Sequence, residues 1–192
     1  MRPAIIIVDM VKDNFREENQ YPITREAKPL IPRITHLLQR GREKGIPIIF
    51  ACDSFLREDF IFTGKMKPHS IRGTEGAEVT DLLEVREGDC VLPKRRFSAF
   101  FKTDLDQTLR TWHCDTVAVA GITTNFCVLL TAMDALCYDF SAILLEDCCA
   151  AHKREVHDTT IDNYRKSALF PLFRILTSNE FLQEVKRGTK EQ

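Results

Sequence analysis

Apolar residues along this chain follow two rhythms: short continuous runs, and stretches in which they recur every three or four positions. The run 4–9 (AIIIVD) is continuous and rich in β-branched residues, the pattern of a strand buried on both faces. Residues 31–45 (IPRITHLLQRGREKG) set Ile31, Ile34, Leu37 and Leu38 at helical spacing, with Pro32 suited to a first turn and Gly45 to a stop. Further strands are expected at 46–53 (IPIIFACD), 89–94 (DCVLPK), 115–121 (DTVAVAG), 141–147 (SAILLED) and 173–177 (FRILT). Helices are expected between them: a short one at 74–85, one at 103–112 capped by Thr103 or Asp104, and one from about 124 to 137. Two more are expected at 157–168 and at 178–188, the last capped by Ser178. Residues 54–73 show no period and read as a long loop, a kind of segment that often carries function.

Strand and helix thus alternate from end to end, with no repeat, low-complexity tract or linker. The alternation predicts one α/β domain over residues 1–192, a three-layer α/β/α fold with a mostly parallel six-stranded sheet. Right-handed crossovers would bring every strand C-terminus to one rim, the rim at which such folds bind ligands.

Composition narrows the function classes. The net charge of −1 gives no electrostatic reason to expect nucleic acid or an anionic membrane surface. No segment approaches the roughly 20 apolar residues of a spanning helix, and the opening MRPAIIIVDM is too short for a signal peptide. The expectation is a cytoplasmic protein acting on a small molecule, with neither nucleic acid nor membrane as partner. Seven cysteines occur, with no CxxC pair, so they are read as reduced thiols that mostly pack as small hydrophobes. A thiol-redox role needs a cycling pair, and none is identified; Cys148 and Cys149 are expected in the core. His152 and His157, five apart, lack the facing spacing of a helical metal site and are expected at the surface.

Three expected strand ends carry chemistry. Asp9 closes the first strand, Lys94 closes the third, and Cys127 lies at the start of the helix after the fourth. Unpaired N–H groups at a helix start, and a nearby lysine, lower a thiol pKa. A carboxylate can take the thiol proton and return it to a leaving amine. Backbone N–H groups in the turn Gly121-Ile122-Thr123 are placed to bind an oxyanion. Singly, each residue has an ordinary explanation: a cap, a solvated charge, a core thiol. Jointly, a buried Asp–Lys pair costs several kcal/mol of desolvation per ion and is a poor route to stability. No GxGxxG, P-loop or GxSxG motif competes with this trio.

These positions give the chain a family resemblance. From IIIVDMVKDNF through FACDS, HSIRGTEGAEV, VLPKRRFSAFFKTDLDQTLR and VAVAGITTNFCVLLTAMDAL to AILLEDCCAA, it resembles the isochorismatase-like cysteine hydrolases. That family includes nicotinamidases, N-carbamoylsarcosine amidases and ureidoacrylate or biuret-type amidohydrolases. The resemblance implies a catalytic triad of Asp9, Lys94 and Cys127 and a cis peptide at Ile122–Thr123 beside the oxyanion site. It implies attack of Cys127 on an amide or ureido carbonyl, release of ammonia or an amine, and hydrolysis of a thioester. It also implies a homodimer or homotetramer. Nicotinamidases of the family bind a divalent metal through an Asp-x-His pair and a later histidine. Here the pair reads Asp53-Ser54-Phe55, with His69 the remaining histidine of the loop, so Phe55 removes a ligand and a metal at Asp53/His69 is disfavoured. No cofactor is expected. Phe15, Phe55, His69 and Arg72 are the candidate pocket residues, and the KRR run 94–96 offers cations for a substrate carboxylate. Two other readings stay open at this point: a metal-dependent nicotinamidase, and a catalytically idle binding or assembly module of the same fold.

Overall fold

The computed structural model describes residues 1–19 and 21–188, with side chains placed as far as residue 185. Six strands form one sheet: β1 (Pro3–Val8), β2 (Ile48–Asp53), β3 (Cys90–Lys94), β4 (Thr116–Ile122), β5 (Ser141–Ala150) and β6 (Phe173–Leu176). Their order is β3-β2-β1-β4-β5-β6 and every pairing is parallel. The continuous apolar runs are explained by this order. β1, β2 and β4 are buried along their whole length because helices cover both faces.

The helices are α1 (Pro22–Ala27), α2 (Ile31–Glu43), α3 (Leu105–Thr111), α4 (Leu129–Cys137), α5 (Arg154–Arg165) and α6 (Ser178–Gly188). One core layer joins Ile5, Ile7, Ile34, Leu37, Leu38 and Phe181 beneath α2 and α6. The other joins Ile6, Val8, Leu109, Val119, Val128 and Ile161 on the opposite face. Alternate residues of β1 thus feed opposite layers, as the strand period requires. None of the helices is long and apolar enough to cross a membrane among the described residues.

Several local expectations are corrected. Residues 74–85 do not form a helix beyond a single 3-10 turn at Glu75–Ala77. Tertiary hydrogen bonds win: Lys12 N–H donates to Glu78 O (2.9 Å), Thr80 N–H to Met10 O (2.9 Å), and Val79 bridges Val11 antiparallel. The cap of α6 is Thr177, not Ser178. Thr177 N–H donates to Glu180 Oε2 (2.8 Å) while Glu180 N–H donates back to Thr177 Oγ1 (3.3 Å), a capping box. Ser178 instead donates through both N–H and Oγ to the Asp147 carboxylate. Helix α5 begins three residues earlier than its periodicity suggests, and β5 continues three residues further, to Ala150. At α3 the Thr103 hydroxyl, not Asp104, accepts a helix-start N–H, from Leu105 at 3.3 Å.

Strand order reverses between β1 and β4: β2 and β3 lie to one side, β5 and β6 to the other. That switch point opens a crevice beyond the strand C-termini, and the chemistry-bearing residues stand there.

Candidate active site

Asp9 follows directly on β1, in the left-handed region at φ 53°. Its N–H donates to Ala51 O (2.8 Å), and Asn14 Nδ2 donates to its carbonyl (2.9 Å), so its backbone is held on both sides. Asp53 and Lys94 are paired residues at the ends of β2 and β3. Lys94 is wholly buried. Its ammonium lies 2.9 Å from Asp9 Oδ2 and donates to Asp53 Oδ1 at 2.5 Å and to Arg96 O at 3.2 Å.

Cys127 arrives from the other side of the switch point. Gly121 has φ 112°, and a Cβ there would stand 2.1 Å from Val8 O, so only glycine lets β4 pass β1 this closely. The Ile122–Thr123 peptide is cis. The chain then enters a π turn, Thr124–Val128, before α4 begins. Phe126 and Val128 N–H both donate to Thr123 O (3.1 and 3.2 Å), which fixes the wider turn. Thr124 is buried and shares a 2.8 Å hydrogen bond with His157 Nδ1. His157 is therefore not the surface residue its sequence context suggested; it packs from α5 against the turn that bears Cys127. Ligand atoms of Asp9, Asp53 and Cys127 all lie within 4.8 Å of one another.

The electrostatics of this cluster follow from burial. Desolvation, then repulsion from Asp53, outweigh Lys94 and push the Asp9 carboxyl up to about 7. Burial acts to neutralise Lys94, but Asp53 and Asp9 overcome it and hold the ammonium well above its usual range. Burial pushes the Cys127 thiol well above its ordinary value despite Lys94. The expectation of a lowered thiol pKa is thus reversed in direction: burial favours the neutral thiol at Cys127. Asp9 divides its two oxygens. Oδ1 accepts the Asp53 N–H (2.9 Å), whereas Oδ2 has the ammonium beside it but no aligned hydrogen-bond partner among the described residues. Oδ2 is the oxygen with a lone pair to spare.

The cluster floors a cavity of about 820 Å³. Its walls are largely aromatic and aliphatic, with Tyr21, Phe55, Phe97, Phe126 and Ile122 the main contributors. Of the four sequence candidates, Phe55 and His69 line it and Phe15 and Arg72 do not. Phe15 packs into the core beneath α1 and α2. Arg72 turns to Ser54, donating to its Oγ (3.1 Å). Arg95 is consumed in a bidentate pair with Asp59. The wall residues Tyr21, Phe97 and Phe126 escaped sequence reading because nothing in their spacing marks them; they meet only through the fold.

The positions at which nicotinamidases hold a metal do not fit one here. Asp53 Oδ1 already accepts a hydrogen bond from the Lys94 ammonium. Phe55 is 1% exposed and offers no lone pair. Its ring packs edge-on against the His69 ring, centroids 5.4 Å apart, and His69 Nδ1 lies 2.9 Å from Lys67 O.

Residues 3–180 match the isochorismatase domain. The chain belongs to the isochorismatase family. It is 31% identical over 170 residues to a "probable inactive nicotinamidase" of Arabidopsis thaliana, covering 82% of this chain and 85% of that one. It is 28% identical over 169 residues to a ureidoacrylate amidohydrolase of Pantoea ananatis, covering 75% and 67%. Among solved structures, the N-carbamoylsarcosine amidase of Thermoplasma acidophilum superposes with a TM-score of 0.80 at 29% identity, over 93% of this chain and 98% of that one. The chain is thus similar to hydrolases of C–N bonds, and it shares their three-layer fold.

Proposed function

We propose that this family member is a metal-independent cysteine amidohydrolase that cleaves a C–N bond of a small ureido or amide compound. One observation carries the reading: a buried thiol, a buried carboxylate and the buried ammonium paired with it meet at the floor of a substrate-sized cavity. Three ionisable groups so desolvated are a heavy cost to stability, and chemistry gives a reason to bear it.

The steps follow from the charges. The substrate carbonyl enters over Cys127. Asp9 Oδ2 takes the thiol proton as Sγ bonds to the carbonyl carbon, and the N–H groups of Thr123 and Cys127 receive the oxyanion. Removing one such donor elsewhere costs about 2.7–4 kcal/mol of barrier. Asp9 then gives its proton to the departing nitrogen, and ammonia or an amine leaves a thioester on Cys127. Water attacks the thioester, Asp9 takes its proton and returns it to the thiolate, and the acid departs. A base near pKa 7 suits both directions of transfer. Lys94 stays charged throughout and keeps Asp9 ionisable despite burial.

Ureido compounds are favoured over nicotinamide. Phe55 stands where a nicotinamidase needs a metal ligand, and two of the relatives are named for ureido or carbamoyl substrates. The test is ammonia release from N-carbamoyl amino acids, biuret, simple amides and nicotinamide, with and without chelator, beside Cys127→Ala. Turnover of a ureido compound, unchanged by chelator and absent in the variant, is expected. Chelator-sensitive turnover of nicotinamide would overturn the reading in favour of a metal-dependent nicotinamidase. Turnover that survives Cys127→Ala would remove the nucleophile assignment.

A further inference from the structure

The charges lining the cavity are segregated by depth. At the floor, Asp9 and Asp53 share one ammonium, so the floor carries a net negative charge whenever Asp9 is ionised. At the mouth, the exposed loop residues Lys65 and Lys67 line the same cavity. Among the described residues no carboxylate pairs with either lysine. His69 and the exposed His152 add two imidazoles to the lining, and no further acid joins it. Between floor and mouth the walls are mostly apolar, with Asn14 and Asn19 among the few polar residues.

We propose that Lys65 and Lys67 form an anion subsite at the cavity mouth, which selects substrates bearing a carboxylate separated from the scissile carbonyl by an apolar body. The inference rests on the amidohydrolase reading for the carbonyl at the floor and adds the orientation of the rest of the substrate. A carboxylate placed deep would face two carboxylates in a low-dielectric setting, where like charges repel strongly. Placed at the mouth, it meets two free ammonium groups and stays partly hydrated. The aromatic walls then take a hydrocarbon or aryl segment, and the cavity exceeds what the carbamoyl group alone would fill. The cations that sequence reasoning offered for this role, Arg72, Arg95 and Arg96, do not line the cavity, and Arg95 and Arg96 are already paired with Asp59.

A matched pair of ligands isolates the charge. 4-(2-Ureidoethyl)benzoate and 2-phenylethylurea differ by the carboxylate alone, which the first carries across the ring from the ureido group. Binding of each to the full chain carrying Cys127→Ala is measured by calorimetry, and ammonia release by the native protein is measured alongside. The anion is expected to bind at least tenfold more tightly, with the preference shrinking as salt is raised, since exposed charges are screened. In a background that also carries Lys65→Gln and Lys67→Gln, both exposed and without partners to lose, the ratio is expected to fall toward one. Equal binding of the two ligands, no measurable binding of the anion, or a preference that survives the double substitution would overturn the subsite. The two readings fail separately: charge-selective binding with no ammonia release from either urea or from any compound of the wider panel would sink the amidohydrolase and keep the subsite, while equal turnover of both ureas would do the reverse.

Discussion

The pH dependence of turnover is the sharpest consequence of the buried cluster. The proposed reaction needs Asp9 ionised and Cys127 protonated at the outset. Burial, and then Asp53, raise Asp9 from 3.8 to about 7. Burial also holds Cys127 well above its ordinary range, so the thiol does not deprotonate as pH rises past neutrality. The active protonation state therefore grows as pH rises through about 7 and then levels off. Well below its pKa a single base loses about tenfold in ionised fraction per pH unit, so kcat/KM at about pH 5 is expected on the order of one-hundredth of the plateau. An ordinary aspartate would leave the same range nearly flat. The assay is kcat/KM for a ureido substrate in buffers of constant ionic strength, from about pH 5 to 8. Asp53→Asn removes the second cause of the shift, and its acidic limb is expected at lower pH. It is not expected to reach the unperturbed value, because the burial persists. A flat wild-type profile above pH 5.5, or a limb that moves upward in Asp53→Asn, would refute the electrostatic assignment.

Other outcomes follow from the same packing and charges. Lys94→Met leaves Asp9 and Asp53 buried without their cation; activity is expected to vanish, and urea denaturation to show a loss of about 3–5 kcal/mol. Gly121→Ala drives a Cβ to 2.1 Å from Val8 O at a positive φ, for a cost of about 1–3 kcal/mol in backbone strain with overpacking added; an unchanged Tm would contradict this. Thr177→Ala removes half of a capping box far from the site, so a loss of about 1 kcal/mol with unaltered kcat is expected from thermal melts and steady-state rates.

The layer architecture was legible because a fully parallel sheet needs continuous apolar runs, and Ile5, Ile6 and Ile7 or Val117 to Ala120 have no other reading once helices flank them. The positions of Asp9, Lys94 and Cys127 were legible for the same reason: strand ends are the best-defined points in such a sequence. Their protonation states were not. Position suggested a helix N-terminus and a lowered thiol pKa, but burial by residues distant in sequence reverses the sign at Cys127. The π turn that replaces the first helical turn leaves no spacing signal. The false helix at 74–85 shows the opposite error, in which local propensity gave way to hydrogen bonds from residues 10–12. His157 looked like a surface residue because its partner, Thr124, lies 33 positions away. Arg95, offered as a cation for a substrate carboxylate, shows the same limit: it is adjacent to Lys94 in sequence, yet Asp59 captures it.

Trapping the intermediate tests the central claim most directly. The native protein is mixed with a ureido substrate, quenched in acid during turnover, digested and analysed by mass spectrometry. The account predicts one acyl or carbamoyl group on the peptide containing Cys127, lost when the quench is delayed past substrate exhaustion and absent from Asp9→Asn. Turnover with Cys127 unmodified at every time point, or with the group on another residue, would contradict it.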